Sequence, residues 1–224
     1  MNLYFLLEGK RTEKKVYPMW MDHLLPNYKQ VKSFDEADQH NYFLFSANGY
    51  PDLLNDIENA ISDINECRNY SYFLVCLDAD ESSVEERRKE VMDKIESSPS
   101  NLNAKPVVIV QNKCFETWFL GNQKVFPRNP QDEDLQEYCR FYNVSNWDPE
   151  LMPQYPGFGS TSQFHSKYLK LMLKEKNISY TKQHPGQVGE SHYIDALHKR
   201  VTSCPTHLKS LQNFFSFIHR LKNS

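Results

Sequence analysis

Five acidic residues follow three apolar runs of this chain, where chemistry that needs clustered carboxylates could take place. They are Glu8 and Glu13 after the first run, Asp78 and Asp80 after the second, and Glu116 after the third. Short apolar runs rich in β-branched and aromatic residues are typical of buried strands. In parallel α/β sheets the functional crevice lies outside the carboxyl ends of the strands. If the three strands are neighbours, the carboxylates converge and repel one another unless cations are present, which predicts a site for divalent metal ions.

Phosphodiester hydrolysis is the chemistry that suits such a site. It needs a nucleophilic water and a stabilised leaving oxygen, and one or two Mg²⁺ ions held by carboxylates supply both. Asp78 and Asp80 would share one face of a regular strand and can meet one ion at its end. Gly9 allows a tight turn beside Glu8, and Glu13 falls in the first turn of the next helix. Alternatively, Glu13 could simply stabilise the N-terminus of the helix through its negative charge. The residues alone do not assign a separate role to each acid.

Basic residues provide candidate contacts to phosphate groups. Lys10, Arg11 and Lys113 lie beside the acidic motifs in the sequence, although ordinary solvated charges explain them equally well. A second group, at helical spacings of three and four, consists of Lys167, Lys170 and Lys174. These lysines form one basic helix face that could follow a nucleic-acid backbone, or a face that is simply solvated.

Alternating strands and helices predict the fold class. The expected strands are 3–7, 42–46, 71–77 and 106–111. The expected helices are 12–25 (with Thr12 as N-cap), 52–67, 84–95, 115–120, 133–142, 161–177, 191–201 and 206–221. This order is typical of an α/β protein with a mainly parallel four-stranded sheet flanked by helices. The composition changes beyond Gly121, which predicts a catalytic domain over 1–121 and a mainly helical lobe over 122–224.

Composition limits the remaining function classes. The net charge of -3 gives no global attraction to nucleic acid, so any binding must come from a local patch. The five cysteines are odd in number and form no CxxC pair, which argues against a structural zinc site and a disulfide framework. No apolar run approaches the length of a membrane span, and the amino terminus does not have the pattern of a signal peptide. We therefore expect a cytoplasmic protein without membrane contact.

Three motifs give the chain a resemblance to a known family, and they lie within residues 1–121. The segment 8–13 matches an E-G-x-x-T-E start, Asp78 and Asp80 match a DxD after a later strand, and 112–118 matches N-x-C-F-E-x-W. With these the chain resembles the TOPRIM fold of topoisomerases, primases, maturation ribonucleases and OLD-type nucleases. It is most similar to the RloB-like and OLD-like branch of bacterial defence proteins. Members of that branch often carry proline where this chain has Lys113.

The resemblance implies an activity and a set of roles. Glu8 would be a metal ligand or the base that activates water, Asp78, Asp80 and Glu13 would be ligands, and Glu116 would complete a second metal position. The expected protein is an endonuclease dependent on Mg²⁺ or Mn²⁺, acting in antiviral defence. Its ATPase would be a separate subunit, because the chain has no G-x-x-x-x-G-K-[ST] motif.

Other functions and partners remain open at this point. A non-cleaving TOPRIM-like binding or regulatory module and an RNA-processing ribonuclease are the alternatives. The expected partners are DNA or RNA, the ATPase subunit, and further copies of this chain in a homo-oligomer.

Overall fold

The computed structural model describes residues 1–223, which form two compact units. The first contains Met1–Leu77 and Val84–Val110, and the second contains Asp78–Ser83 and the chain from Gln111 onward. The short helix that follows the last strand, counted with the first domain in the sequence analysis, belongs to the second unit. Across residues 1–223, every helix is too short or too polar to cross a membrane.

A parallel β-sheet with helices beside it forms the first unit, which confirms the predicted α/β class. The strands are β1 (Asn2–Leu7), β2 (Lys29–Gln30), β3 (Asn41–Ser46), β4 (Tyr70–Asp78) and β5 (Lys105–Gln111). Their order is β2-β3-β1-β4-β5, and β1 pairs in parallel with both β3 and β4.

The prediction of four strands was wrong, because the sheet has five. The additional strand, β2, has only two residues and both are exposed. It is held beside β3 by bonds from the Lys29 N–H to the His40 carbonyl and from the Val31 N–H to the Tyr42 carbonyl. Two exposed polar residues carry no apolar alternation, so the sequence pattern gives no signal for this strand.

Three helices belong to the first unit: α1 (Thr12–Leu24), α2 (Asp52–Cys67) and α3 (Val84–Glu96). Successive side chains of a strand point to opposite faces of its sheet. The ring of Phe5 contacts Tyr17 of α1, whereas the hydroxyl of Tyr4 donates to Asp63 of α2 at 2.7 Å. The two helices therefore cover opposite faces of β1.

The N-cap predicted for α1 was wrong by one residue. Arg11 occupies the cap position, without a side-chain capping bond, and Thr12 is already the first helical residue. The Thr12 side chain is buried, so packing rather than capping explains its position.

Helices make up most of the second unit. They are α4 (Phe115–Phe119), α5 (Glu133–Phe141), α6 (Thr161–Lys174), α7 (Ser191–Ser203) and α8 (Lys209–Lys222). Aromatic contacts join α4 to its neighbours, since Trp118 packs against Phe214 and Phe119 against Tyr193. The buried Arg200 of α7 donates to three backbone carbonyls of the loop 144–147.

Candidate metal centre

The carboxyl end of β1 holds the backbone of Glu8 in place. Its N–H donates to the Cys76 carbonyl of β4 at 3.0 Å, and its carbonyl accepts from the Gly49 N–H at 3.0 Å. The strands that follow β1 in the chain, β2 and β3, lie on one side of it in the sheet, and the later strands β4 and β5 lie on the other side. The carboxyl ends of β1 and β4 therefore form a topological switch point. Ligands of open α/β sheets bind at such a point.

The Glu13 carboxylate folds back over Gly9, in the turn that joins β1 to α1. A Cβ atom at position 9 would overlap the carboxylate, so the close approach depends on glycine. Burial raises the pKa of the Cys76 thiol to about 12, and the charge of Glu13 adds to this rise. In the first unit, the structure thus places Glu13 next to the end of β1, while Lys10 and Arg11 are exposed on the same turn.

A short loop of the second unit, Asp78–Ser83, carries the paired aspartates. The Ala79 N–H donates to the Gln111 carbonyl at 2.9 Å, and the Asp80 N–H donates to the Lys113 carbonyl at 2.8 Å. Asp80 has φ 51°, in the left-handed region that a side chain other than glycine rarely adopts. Strand β4 ends at Asp78, so the two aspartates do not alternate along a regular strand as the sequence pattern assumed.

The amino-terminal end of α6 binds the same loop. The Thr161 N–H donates to Oε1 of Glu81 at 2.9 Å, and the Ser162 hydroxyl donates to Oδ1 of Asp80 at 3.4 Å. Unpaired N–H groups and the helix dipole favour carboxylates at this end of a helix. Sequence reasoning missed Glu81, because its partner lies 80 residues away and no local pattern connects the two.

Glu116 is buried in α4 and has two partners from one segment. The Tyr180 hydroxyl donates to its Oε1 at 3.0 Å, and the Lys182 ammonium lies 3.4 Å from the same atom. Burial, and then the charges of Glu116 and Asp78, raise the pKa of the Cys114 thiol well above its ordinary value. Two of the predicted ligands therefore lie near one thiol, and a lysine already balances the charge of Glu116.

Lys113 contributes its backbone to the site. Its φ is 68°, which proline cannot adopt because the pyrrolidine ring fixes φ near −65°. Its carbonyl accepts the hydrogen bond from the Asp80 N–H. The lysine that departs from the family pattern thus permits a backbone conformation that supports the aspartate loop.

A buried row of polar groups lies beside Glu116 but does not have the properties of a nucleophilic centre. The Thr117 hydroxyl lies 3.5 Å from the Cys114 Sγ and 2.8 Å from the His165 Nδ1. Burial lowers the pKa of His165 to about 4, so the imidazole is neutral near pH 7. A cysteine nucleophile requires the thiolate, whereas burial favours the protonated thiol of Cys114. We therefore interpret these groups as a structural link between α4 and α6.

Two lysines of α6 lie next to acids at the amino-terminal end of α5, where Asp132 is the N-cap residue. The Lys167 ammonium is 3.7 Å from Asp134, and that of Lys174 is 3.8 Å from Asp132. Lys170 is exposed. Ion pairs with this degree of exposure are weak, so the lysines can exchange these partners for phosphate groups.

The loop Asp78–Ser83 could bind a metal ion through the carboxylate oxygens of Asp78 and Asp80. Within residues 1–223, no three His, Cys, Asp or Glu side chains form a group that could hold an ion. Mg²⁺ often binds to only one or two carboxylates and takes its other ligands from water and substrate phosphates. Asp78 and Asp80 fit that mode, and as a carboxylate pair they suit Mg²⁺ or Mn²⁺ better than metals that prefer thiolate.

No protein-family model, curated protein or solved structure matches this chain. The resemblance to the TOPRIM fold thus rests on Glu8, on Asp78 and Asp80, and on the two short motifs 8–13 and 112–118.

Proposed function

We propose that this chain is a divalent-metal-dependent nuclease that hydrolyses phosphodiester bonds in nucleic acid. The observation that carries the proposal is the construction of the loop Asp78–Ser83. Two backbone hydrogen bonds and the amino-terminal end of α6 hold Asp80 in a left-handed conformation. A conformation of this kind costs free energy and persists only where the surrounding structure imposes it, as functional sites often do.

The aspartates of this loop would hold the ion, and the bound ion would activate water and stabilise the leaving oxygen. Asp78 and Asp80 supply carboxylate oxygens, while the Lys113 carbonyl and the Ser162 hydroxyl orient the loop that carries them. Glu8 remains the predicted ligand or base, as the family resemblance implies. Lys10 and Arg11, which are exposed after β1, would contact a substrate phosphate.

The resemblance also suggests a biological setting. We infer that the nuclease is the effector of a bacterial anti-phage system and that a separate ATPase subunit controls it. This inference depends on the motifs around Glu8 and Glu116, so it would change if these residues prove unrelated to cleavage.

Substitution of the aspartates tests the nuclease proposal. Asp78→Asn and Asp80→Asn remove a charge while retaining the size of each side chain. We expect cleavage of plasmid DNA or total RNA in Mg²⁺ or Mn²⁺ to fall to the level measured in EDTA. Without metal, the melting temperature should hold or rise, because a substituted cluster has less self-repulsion. The matched control is Glu85→Gln, which removes a charge from an exposed position of α3.

Measurements on the wild-type chain can also contradict the nuclease proposal. A wild-type chain that neither cleaves nucleic acid nor gains thermal stability from Mg²⁺ or Mn²⁺ would contradict the proposal. A ligand that binds only the folded state must raise its stability, so the thermal measurement does not depend on choosing the correct substrate.

One observation favours a second candidate, a binding module that retains metal but does not cut. Glu116, the predicted ligand of a second ion, is already engaged by Tyr180 and Lys182. For such a module, calorimetry would detect Mn²⁺ binding that depends on Asp80, with no cleavage of DNA or RNA under any condition.

A further inference from the structure

We propose that Glu81 is a positioning residue, which docks the loop Asp78–Ser83 on the amino-terminal end of α6 and thereby orients the metal-binding aspartates. This inference deepens the proposed nuclease function and rests on it. In this proposal Glu81 holds the loop rather than a metal ion, and its two carboxylate oxygens accept hydrogen bonds from Thr161.

Two consecutive loop residues contact two consecutive helix residues. Glu81 accepts hydrogen bonds from the Thr161 N–H at 2.9 Å and from the Thr161 hydroxyl at 3.3 Å. Asp80 accepts from the Ser162 hydroxyl at 3.4 Å. The shorter bond is made by Glu81, and it fixes the loop in the register that brings Asp80 to Ser162.

Helix α6 has its own N-cap residue, Ser160, so the helix does not depend on Glu81 for capping. The Ser160 side chain accepts from the Gln163 N–H at 3.2 Å. The first turn of α6 therefore keeps a capping residue when Glu81 is removed. In the loop, the Gln111 and Lys113 carbonyls hold the backbone of Ala79 and Asp80, and the contact of Ser162 with Asp80 is longer than that of Thr161 with Glu81.

The negative charge of Glu81 makes its hydrogen bond to the Thr161 N–H stronger than a bond between neutral groups. A carboxylate that accepts a backbone N–H at a helix N-terminus forms a charge-assisted hydrogen bond and interacts favourably with the helix dipole. That contact opposes the free-energy cost of the left-handed conformation at Asp80. Loss of Glu81 should thus release the aspartates without unfolding the second unit.

Three variants of the full chain test the inference. Glu81→Ala removes the contact, Glu81→Gln retains an oxygen that can accept from the Thr161 N–H, and Glu85→Ala is the exposed control. Amide hydrogen exchange over residues 79–82 measures the order of the loop. We expect exchange at least about tenfold faster in the Ala variant and no change in the control. The Gln variant should exchange at an intermediate rate, because it retains the hydrogen bond from the Thr161 N–H but loses the charge.

Metal binding and kinetics give readouts that a purely structural residue would not change. Mn²⁺ affinity should weaken by about tenfold in Glu81→Ala, within the range typical of residues that orient metal ligands. The turnover number should fall while KM for nucleic acid is retained, and Glu81→Gln should show smaller losses of metal affinity and turnover than Glu81→Ala. The melting temperature should stay close to that of wild type.

The outcomes separate this inference from the proposed function. Wild-type exchange rates over 79–82 in Glu81→Ala overturn the positioning role, whether or not the chain binds metal. Equal losses in the Ala and Gln variants also overturn it, because the hydrogen bond would not be the cause. If the wild-type chain shows neither Mn²⁺ binding nor cleavage, the nuclease proposal fails, and the exchange data still decide whether Glu81 orders the loop.

Discussion

Two buried carboxylates of the second unit differ in how their charge is balanced. Glu116 lies against the Lys182 ammonium, whereas Glu150 is bound by the N–H and hydroxyl of Ser210, with no cation from residues 1–223 among its hydrogen-bond partners. Burial raises the pKa of Glu150 to about 7, even though the hydrogen bonds from Ser210 act to lower it. The charged form of Glu150 is therefore disfavoured in the folded chain, and this makes it sensitive to pH.

The pH dependence of stability should change when Glu150 is replaced. The pKa of Glu150 is about 7 in the folded chain against an ordinary value of 4.5, so folding takes up a proton between these two pH values. The stability that Glu150 contributes is full below pH 4.5 and is lost as the pH rises from there through 7, by roughly 3 kcal/mol. Glu150→Gln cannot ionise. We expect its unfolding free energy, relative to wild type, to increase between pH 5 and pH 8.

Urea unfolding at several pH values measures this difference. Glu175→Gln, at the residue that follows α6, is a control with a half-buried carboxylate that accepts from the Gln131 and Asp132 N–H groups instead of Ser210. A difference between Glu150→Gln and wild type that stays constant across the pH range would show that Glu150 does not take up a proton on folding.

The close approach of Glu13 to Gly9 leads to a second prediction for single residues. In Gly9→Ala, the new Cβ atom must displace the Glu13 carboxylate, which is the mobile end of a long side chain. We expect a small change in melting temperature but weaker Mn²⁺ binding, measured by calorimetry, if Glu13 is a ligand. Unchanged Mn²⁺ affinity in Gly9→Ala would remove Glu13 from the ligand set.

Ion pairs between α5 and α6 lead to a prediction at the level of elements. Asp134 lies beside Lys167, so Asp134→Asn should leave that lysine available to a phosphate group. Nucleic-acid affinity should rise by a factor of up to about 5, the equivalent of one surface pair. The slope of log affinity against log salt should steepen by up to about one. Fluorescence anisotropy across a salt titration measures both.

A charge-matched variant makes this measurement specific. Glu133→Gln removes the same charge from the first turn of α5 and leaves the Asp134 pair intact. Equal effects in the two variants would indicate a general charge effect. Replacement of Lys167, Lys170 and Lys174 by Glu should weaken binding and flatten the salt slope. Unchanged affinity in this triple variant would show that the row does not contact nucleic acid.

Elements were predictable from the sequence where apolar periodicity was strong. The buried strand β1 and the apolar stripe of α2 lie where their patterns indicate. The two-residue β2 was not predictable, since its hydrogen bonds depend on residues some ten positions away rather than on its own composition.

Site residues were predictable only as residue types at strand ends. The pattern identified Asp80, but not the left-handed backbone that takes it out of the strand. It could not identify the partners of Glu116 or Glu81, because these lie 64 and 80 residues away in the chain. Local spacing carries no information about such pairs, which only the packing of helices creates.

The two units alternate along the sequence, which affects how the molecule can be divided. The loop Asp78–Ser83 belongs to the second unit although 1–77 and 84–110 form the first. We expect a fragment of residues 1–110 to keep strand and helix signals in circular dichroism. Its amides at 79–82 should exchange rapidly, because Lys113, Thr161 and Ser162 are missing. Protection of these amides equal to that in the full chain would contradict the prediction.

The long sequence separation between Glu81 and Thr161 also determines the order of events during synthesis. The ribosome adds Thr161 80 residues after Glu81, which corresponds to a delay of ~4–16 s at bacterial and eukaryotic elongation rates. Throughout that interval the residues of β1, β3 and β4 have already been synthesised, but the aspartate loop lacks the first residues of α6 that hold it. A nascent chain therefore acquires its ordered loop late, after the sheet residues have left the ribosome. Under the proposed function, we expect the nascent chain to be unable to cleave nearby nucleic acid during that interval.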